Sequence, residues 1–107
     1  MNFTTLTSLP AKEIFGGSAR GHYTHLERLT IGEIALLAGV TVPMHQHPHE
    51  QVTYVLEGRF QFTVGTETRE LGPGMTALIP GGVMHGGTTL TACRVLDVFS
   101  PVREDYR

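Results

Sequence analysis

Polar and apolar residues alternate along much of this chain with the period of two that marks a β-strand buried on one face. The cleanest run is Arg59 to Val64, which puts Phe60, Phe62 and Val64 on one side and Arg59, Gln61 and Thr63 on the other. Gln51 to Leu56 alternates too, and Glu57-Gly58 between the two runs reads as a tight turn. The pair is therefore expected to form a β-hairpin. Leu26 to Leu37 reads as two strands or one long strand bent at Gly32, ended by Ala38-Gly39. Val40 to Met44 leads into a group of histidines. Further strands are expected at Glu67 to Leu71, Met75 to Ile79 and Leu90 to Phe99, separated by Gly72-Pro73-Gly74 and Pro80-Gly81-Gly82 and closed by Pro101. One helical turn is expected, near Pro10 to Ile14, while the segment before Gly21 shows no clear period. Many short strands with Gly/Pro turns predict an all-β fold, an antiparallel sandwich or barrel.

Composition narrows the classes without changing that picture. The 107 residues make one domain spanning residues 1–107, and 40% hydrophobic with 17% charged residues suits a packed core. A chain of this size leaves much surface exposed, so a homodimer is expected. The net charge of −2 offers no basic footprint for nucleic acid. No apolar run reaches the roughly 18 residues of a membrane span. Met1 to Pro10 has neither a basic start nor an apolar stretch, so a cytoplasmic protein is expected. The single cysteine, Cys93, sits in an apolar stretch and reads as a buried core thiol.

Six histidines are present, and three of them, His45, His47 and His49, alternate with Gln46 and Pro48. Alternate residues of an extended chain point the same way, so His45, His47 and, past a bend at Pro48, Gln51 are placed to converge. Imidazole nitrogen is the common protein ligand for zinc, nickel, copper and iron. His49 has the same parity and is either a spare ligand or a histidine at the barrel mouth. His22 and His25 read as surface or dimer-edge residues.

These residues carry a resemblance. Gly39, five residues, His45-Gln46-His47, three residues, Gln51, six residues and Gly58 resemble the first motif of the cupin family. Gly74, five residues, Pro80-Gly81-Gly82, two residues and His85 resemble the second, so the two motifs span 39–58 and 74–89. The resemblance implies a single cupin barrel, a jelly-roll or double-stranded β-helix. It also implies one divalent metal ion (Ni, Zn, Fe or Mn) held by His45, His47, Gln51 and His85. Two positions depart from the family pattern: Gln51 stands where the family has glutamate, and Thr89 where it has asparagine. The neighbouring Glu50 would point to the opposite face of its strand, so Gln51 is the expected ligand.

In the last strand Cys93, Val95, Asp97 and Phe99 share one face and Arg94, Leu96 and Val98 the other. If the first face lines the barrel, Asp97 is an acid among apolar neighbours, where burial favours its protonated form. The alternative is an Asp facing outward to cap a loop. Arg103 can grip a carboxylate, either a substrate's or that of Asp97; the alternative, which the residues alone favour, is a solvated charge on the tail. The segment Leu96 to Tyr106, with the two motifs, is similar to the KdgF-type cupins of pectin and alginate catabolism, which share the glutamine ligand. That resemblance implies conversion of 4,5-unsaturated monouronates to linear 5-keto-4-deoxyuronates, with Asp97 and Arg103 catalytic and Phe99 and Arg103 binding the substrate. The competing expectations are a small metal-dependent cupin oxygenase and a non-enzymatic, ligand-sensing cupin.

Overall fold

The computed structural model describes residues 2–107. Ten strands build it: β1 (Lys12–Ile14), β2 (Ala19–His25), β3 (Thr30–Leu36), β4 (Thr41–His45), β5 (Glu50–Glu57), β6 (Phe60–Val64), β7 (Glu67–Leu71), β8 (Thr76–Ile79), β9 (His85–Thr89) and β10 (Cys93–Ser100). They form a six-stranded sheet in the order β1-β2-β3-β10-β5-β8 and a four-stranded sheet in the order β4-β9-β6-β7. Every pairing is antiparallel, as in a jelly-roll barrel.

The core lies between the inner faces of the two sheets. Phe60, Phe62 and Leu71 from the smaller sheet pack with Ile34, Leu36, Val55, Ile79, Val95 and Phe99 from the larger one. The alternation in β6 holds as expected, with Phe60 and Phe62 buried and Gln61 exposed. In β10 the Cys93 face is the inner one: Cys93, Val95 and Phe99 are buried. Cys93 is a buried thiol bonded to the carbonyls of Arg59 and Thr91, and burial raises its pKa.

Three local expectations are corrected. Glu57-Gly58 does not close a hairpin, because β5 belongs to the six-stranded sheet and β6 to the four-stranded one. It is a corner where the chain crosses between sheets. Gly58, at φ 93°, is pressed against the Ala92 carbonyl and Cys93, where no side chain fits. The tight hairpin is β6–β7, whose Val64 and Glu67 pair across a two-residue loop with Gly65 at φ 60°. Second, the helical turn expected at Pro10 to Ile14 is strand β1, and the 3₁₀ turn lies earlier, at Leu6–Ser8. Third, Leu26 to Leu37 holds one strand only, β3, and its partner β2 is the seven-residue strand before it. Gly32 does not bend β3. It leaves room for the ring of Tyr23, which lies across Gly32 and Gly21 where a Cβ would collide with it.

Candidate metal centre and pocket

Three histidines meet at one end of the barrel. His45 ends β4 and pairs in register with His85 at the start of β9. His47 follows on the loop into β5, which Gly82 pins by donating its N–H to the His47 carbonyl at 2.8 Å. One ring nitrogen of each lies within 4.8 Å of those of the other two. The ring centroids of His45 and His85 are 4.2 Å apart, and those of His47 and His85 4.8 Å.

The protonation of these rings follows from their backbone partners. His45 Nδ1 lies 2.8 Å from the Pro43 carbonyl, His85 Nδ1 2.9 Å from the Val83 carbonyl and His47 Nδ1 3.1 Å from the His49 carbonyl. A carbonyl oxygen only accepts, so each Nδ1 carries the proton and each Nε2 presents a lone pair. Burial also holds the pKa of His47 and His85 below the usual histidine value, which favours the neutral rings. Three imidazoles that bring one ring nitrogen each to a common point are a ligand set for a divalent ion.

Two observations test that fit. His85 Nε2 is buried and has no hydrogen-bond partner among the described residues, a costly state for a polar atom unless a cation takes its lone pair. Gln51 Oε1 lies 3.0 Å from His47 Nε2, so with Nδ1 protonated two acceptors face one another. Both observations suit a shared positive ion. The residues present fit the metal that the sequence implies, and its identity is left open by a mixed N/O donor set.

Of the two candidates on β5, Gln51 is buried at 8% exposure and faces inward, and Glu50 faces solvent. Thr89 takes no part in the site. It is 1% exposed, accepts the Val40 N–H at 2.8 Å and donates to the Leu37 carbonyl at 2.7 Å, tying β9 to the β3–β4 loop. His49 lies outside the triad, its Nε2 bonded to the Val102 carbonyl at 3.2 Å. His22 bonds the Leu9 carbonyl and His25 the Thr30 hydroxyl, both partly buried and remote from the triad.

A small cavity of about 50 Å³ runs from His45 and His85 into the barrel interior. Its polar wall is a row across the large sheet, in which Tyr23, Gly32, Asp97 and Thr53 are register neighbours on β2, β3, β10 and β5. Asp97 therefore faces the cavity rather than capping a loop. Thr53 donates to Asp97 Oδ1 at 2.7 Å and accepts from Gln51 Nε2 at 2.9 Å. Loss of water pushes the Asp97 carboxyl up from 3.8 to about 6, against the opposing hydrogen bonds of Thr53 and Gln51.

Phe99 lines the same cavity, 2% exposed, with its ring edge-on to His47 at 5.9 Å. Arg103 lies over it, its guanidinium 4.8 Å from the Phe99 ring centre and 4.3 Å from that of Tyr106. The grip on Asp97 is not made. Arg103 Nε and Nη2 donate to Asp105 at 2.9 and 2.7 Å, because Asp105, two residues along, matches the guanidinium fork. Asp97 gives its oxygen to Thr53 instead.

Three residues of this pocket carried no signal as chemistry in the sequence: Thr53, Tyr23 and Tyr106. The two tyrosine rings stack at 4.3 Å. Burial raises the pKa of both, which keeps them neutral hydrogen-bond donors. The parity of Thr53 with Gln51 on β5 was the available clue.

Comparison with known proteins agrees with this geometry. A model of the cupin domain matches residues 32–99. A solved RmlC-like cupin from Shewanella frigidimarina superposes with TM-score 0.93 at 30% identity, covering 100% of this chain and 96% of that one. KdgF from a Halomonas species gives TM-score 0.91 at 28% identity, covering 99% and 100%. An uncharacterised protein of Streptomyces coelicolor is 33% identical over 97 residues, 90% of this chain and 92% of that protein.

Proposed function

This chain belongs to the cupin family and is similar to KdgF, and from that premise we propose that it converts 4,5-unsaturated monouronates to linear 5-keto-4-deoxyuronates. The observation that carries the reading is Asp97: a carboxyl with a pKa of about 6, lining the same cavity as His45, His85 and Phe99, with Arg103 over the Phe99 ring.

The substrate is a cyclic enol ether bearing a carboxylate. His45, His47 and His85 would hold a divalent ion through Nε2, and Gln51 through Oε1. When bound, such an ion would supply a positive charge that holds and orients an anionic oxygen of the substrate. With no carboxylate in the ligand set, that charge is left for the substrate. Asp97 gives a proton to C4, at a pKa suited to donating and recovering it near neutral pH. Water adds at C5, the hemiketal opens to the 5-ketone, and the hydrate left at C1 loses water to the aldehyde, so the overall change is an isomerisation. Phe99 forms an apolar wall against the ring, and Arg103 on that wall offers N–H groups to the substrate's carboxylate or hydroxyls. No electron is transferred, so Zn, Ni, Mn and Fe(II) all suit the chemistry.

The test is loss of the ultraviolet absorbance of the conjugated alkene when metal-loaded protein meets freshly made unsaturated galacturonate or mannuronate. The reading expects loss faster than in buffer, and none from a His47→Ala variant. No acceleration with either sugar, in protein shown to contain metal, removes the reading. Oxygen uptake would then select the oxygenase, and silence in both assays the ligand-sensing role. A homodimer and a cytoplasmic setting belong to the same proposal.

A further inference from the structure

We propose that Thr53 is a positioning residue that decides which end of the Gln51 side chain faces the histidines; the inference rests on the reading of Gln51 as a ligand. A side-chain amide has two ends of nearly equal size. Only the oxygen ligates a metal, and the NH₂ end would repel it. Something at residue 51 must therefore select the orientation, a demand that a carboxylate would not make.

Thr53 accepts from the far end of the amide at 2.9 Å, and the Asp97 carboxylate stands beside it as a second acceptor for the same NH₂. Thr53 is 2% exposed. Its hydroxyl has one proton, which goes to Asp97 Oδ1 at 2.7 Å. What Thr53 then offers Gln51 is lone pairs, and only the N–H end of the amide suits them, at 2.9 Å. The oxygen is thereby turned to the other side, 3.0 Å from His47 Nε2. Flipping the amide would set Oε1 against a threonine oxygen whose proton is already spent. The geometry makes a directional chain from Gln51 through Thr53 to Asp97, with β5 and β10 in register at Thr53 and Asp97.

The experiment measures Co²⁺ affinity of metal-stripped protein by competition with a chromogenic chelator, together with the visible spectrum of the bound Co²⁺. Disturbing the outer partner of a metal ligand costs about 10–100-fold in affinity, so Thr53→Val, which keeps the shape and removes the hydroxyl, should weaken Co²⁺ binding by that factor and alter the spectrum. Thr53→Ser should restore both. Circular dichroism checks that each variant is folded, and Thr53→Ala replaces Thr53→Val if the valine variant is not. In a Gln51→Glu background, where both ends of the side chain are oxygen, the Thr53→Val loss should shrink to within about threefold, close to additivity error. Wild-type affinity in Thr53→Val, or an equal loss in both backgrounds, overturns the inference. Gln51→Ala separates the two readings. If it binds Co²⁺ as tightly as wild type, Gln51 is no ligand; if it is weakened while Thr53→Val is not, the ligand reading stands and the role of Thr53 falls.

Discussion

Replacing Asp97 by Asn should flatten one part of the pH dependence of stability. Asp97 titrates at about 6 in the folded protein against an ordinary value of 3.8, so burial acts against its charged form. For an acid whose folded pKa is raised, stability is fully present below the unfolded pKa and is lost as pH rises through the folded one. A shift of about 2 pK units is worth about 3 kcal/mol at 1.36 kcal/mol per unit. About 1 kcal/mol of that is already lost by pH 4.5, and about 2 kcal/mol more disappears between pH 4.5 and 7. His47 and His85, with lowered pKa, impose the opposite slope as they gain protons below their unfolded value, but they do so in both proteins. The informative quantity is therefore the difference between wild type and Asp97→Asn. Urea melts of the metal-free proteins at half-unit steps of pH measure it. The stability of wild type relative to the variant should fall by about 2 kcal/mol from pH 4.5 to 7 and then level off. A difference that stays flat across that window, or that rises with pH, would mean that the Asp97 carboxyl is solvated and that its place beside the histidines confers no reservoir of protons.

Other outcomes follow from the same geometry. His85→Ala removes the buried Nε2 that has no other partner among the described residues, so it should reduce metal affinity by more than the roughly 10–100-fold cost of disturbing an outer partner; metal analysis after dialysis checks this. Gly32→Ala puts a methyl group into the Tyr23 ring and should cost about 1–3 kcal/mol by overpacking, or roughly 5–15 °C in Tm. That cost should vanish in a Tyr23→Ala background, and an equal loss in both backgrounds would refute the contact. Light scattering should return twice the mass of the single chain if the homodimer forms.

The convergence of His45 and His47 was legible because their spacing puts side chains on one side of an extended chain, while His85 was legible only through the resemblance of its segment to the second cupin motif. The inward face of β10 was legible from spacing too: its period of two carries Asp97 with it. What stayed hidden was which strands share a sheet. A turn at Glu57-Gly58 looks the same locally whether the chain reverses within one sheet or crosses to the other. Strand β2 was hidden because two of its inward positions, Ala19 and Gly21, are too small to register as a hydrophobic face, while Tyr23 extends over the gap. The partner of Arg103 was missed because Asp105 is a local, competing carboxylate, and the contest between Asp97 and Asp105 is settled by distance in three dimensions.

The way the three histidines are fixed has a consequence for how such a protein can change over generations. Each ring takes its orientation from a main-chain carbonyl two positions away: Pro43 for His45, Val83 for His85 and His49 for His47. No neighbouring side chain is recruited for that task, so almost any mutation nearby leaves these anchors in place. The histidine end of the barrel is in this sense modular, written into the local course of the backbone. The opposite wall, with Tyr23, Asp97, Phe99 and Arg103, is made of side chains alone and is free to drift. One lineage can thus inherit the ligand cluster intact while selection tries new reactions against it, a residue at a time.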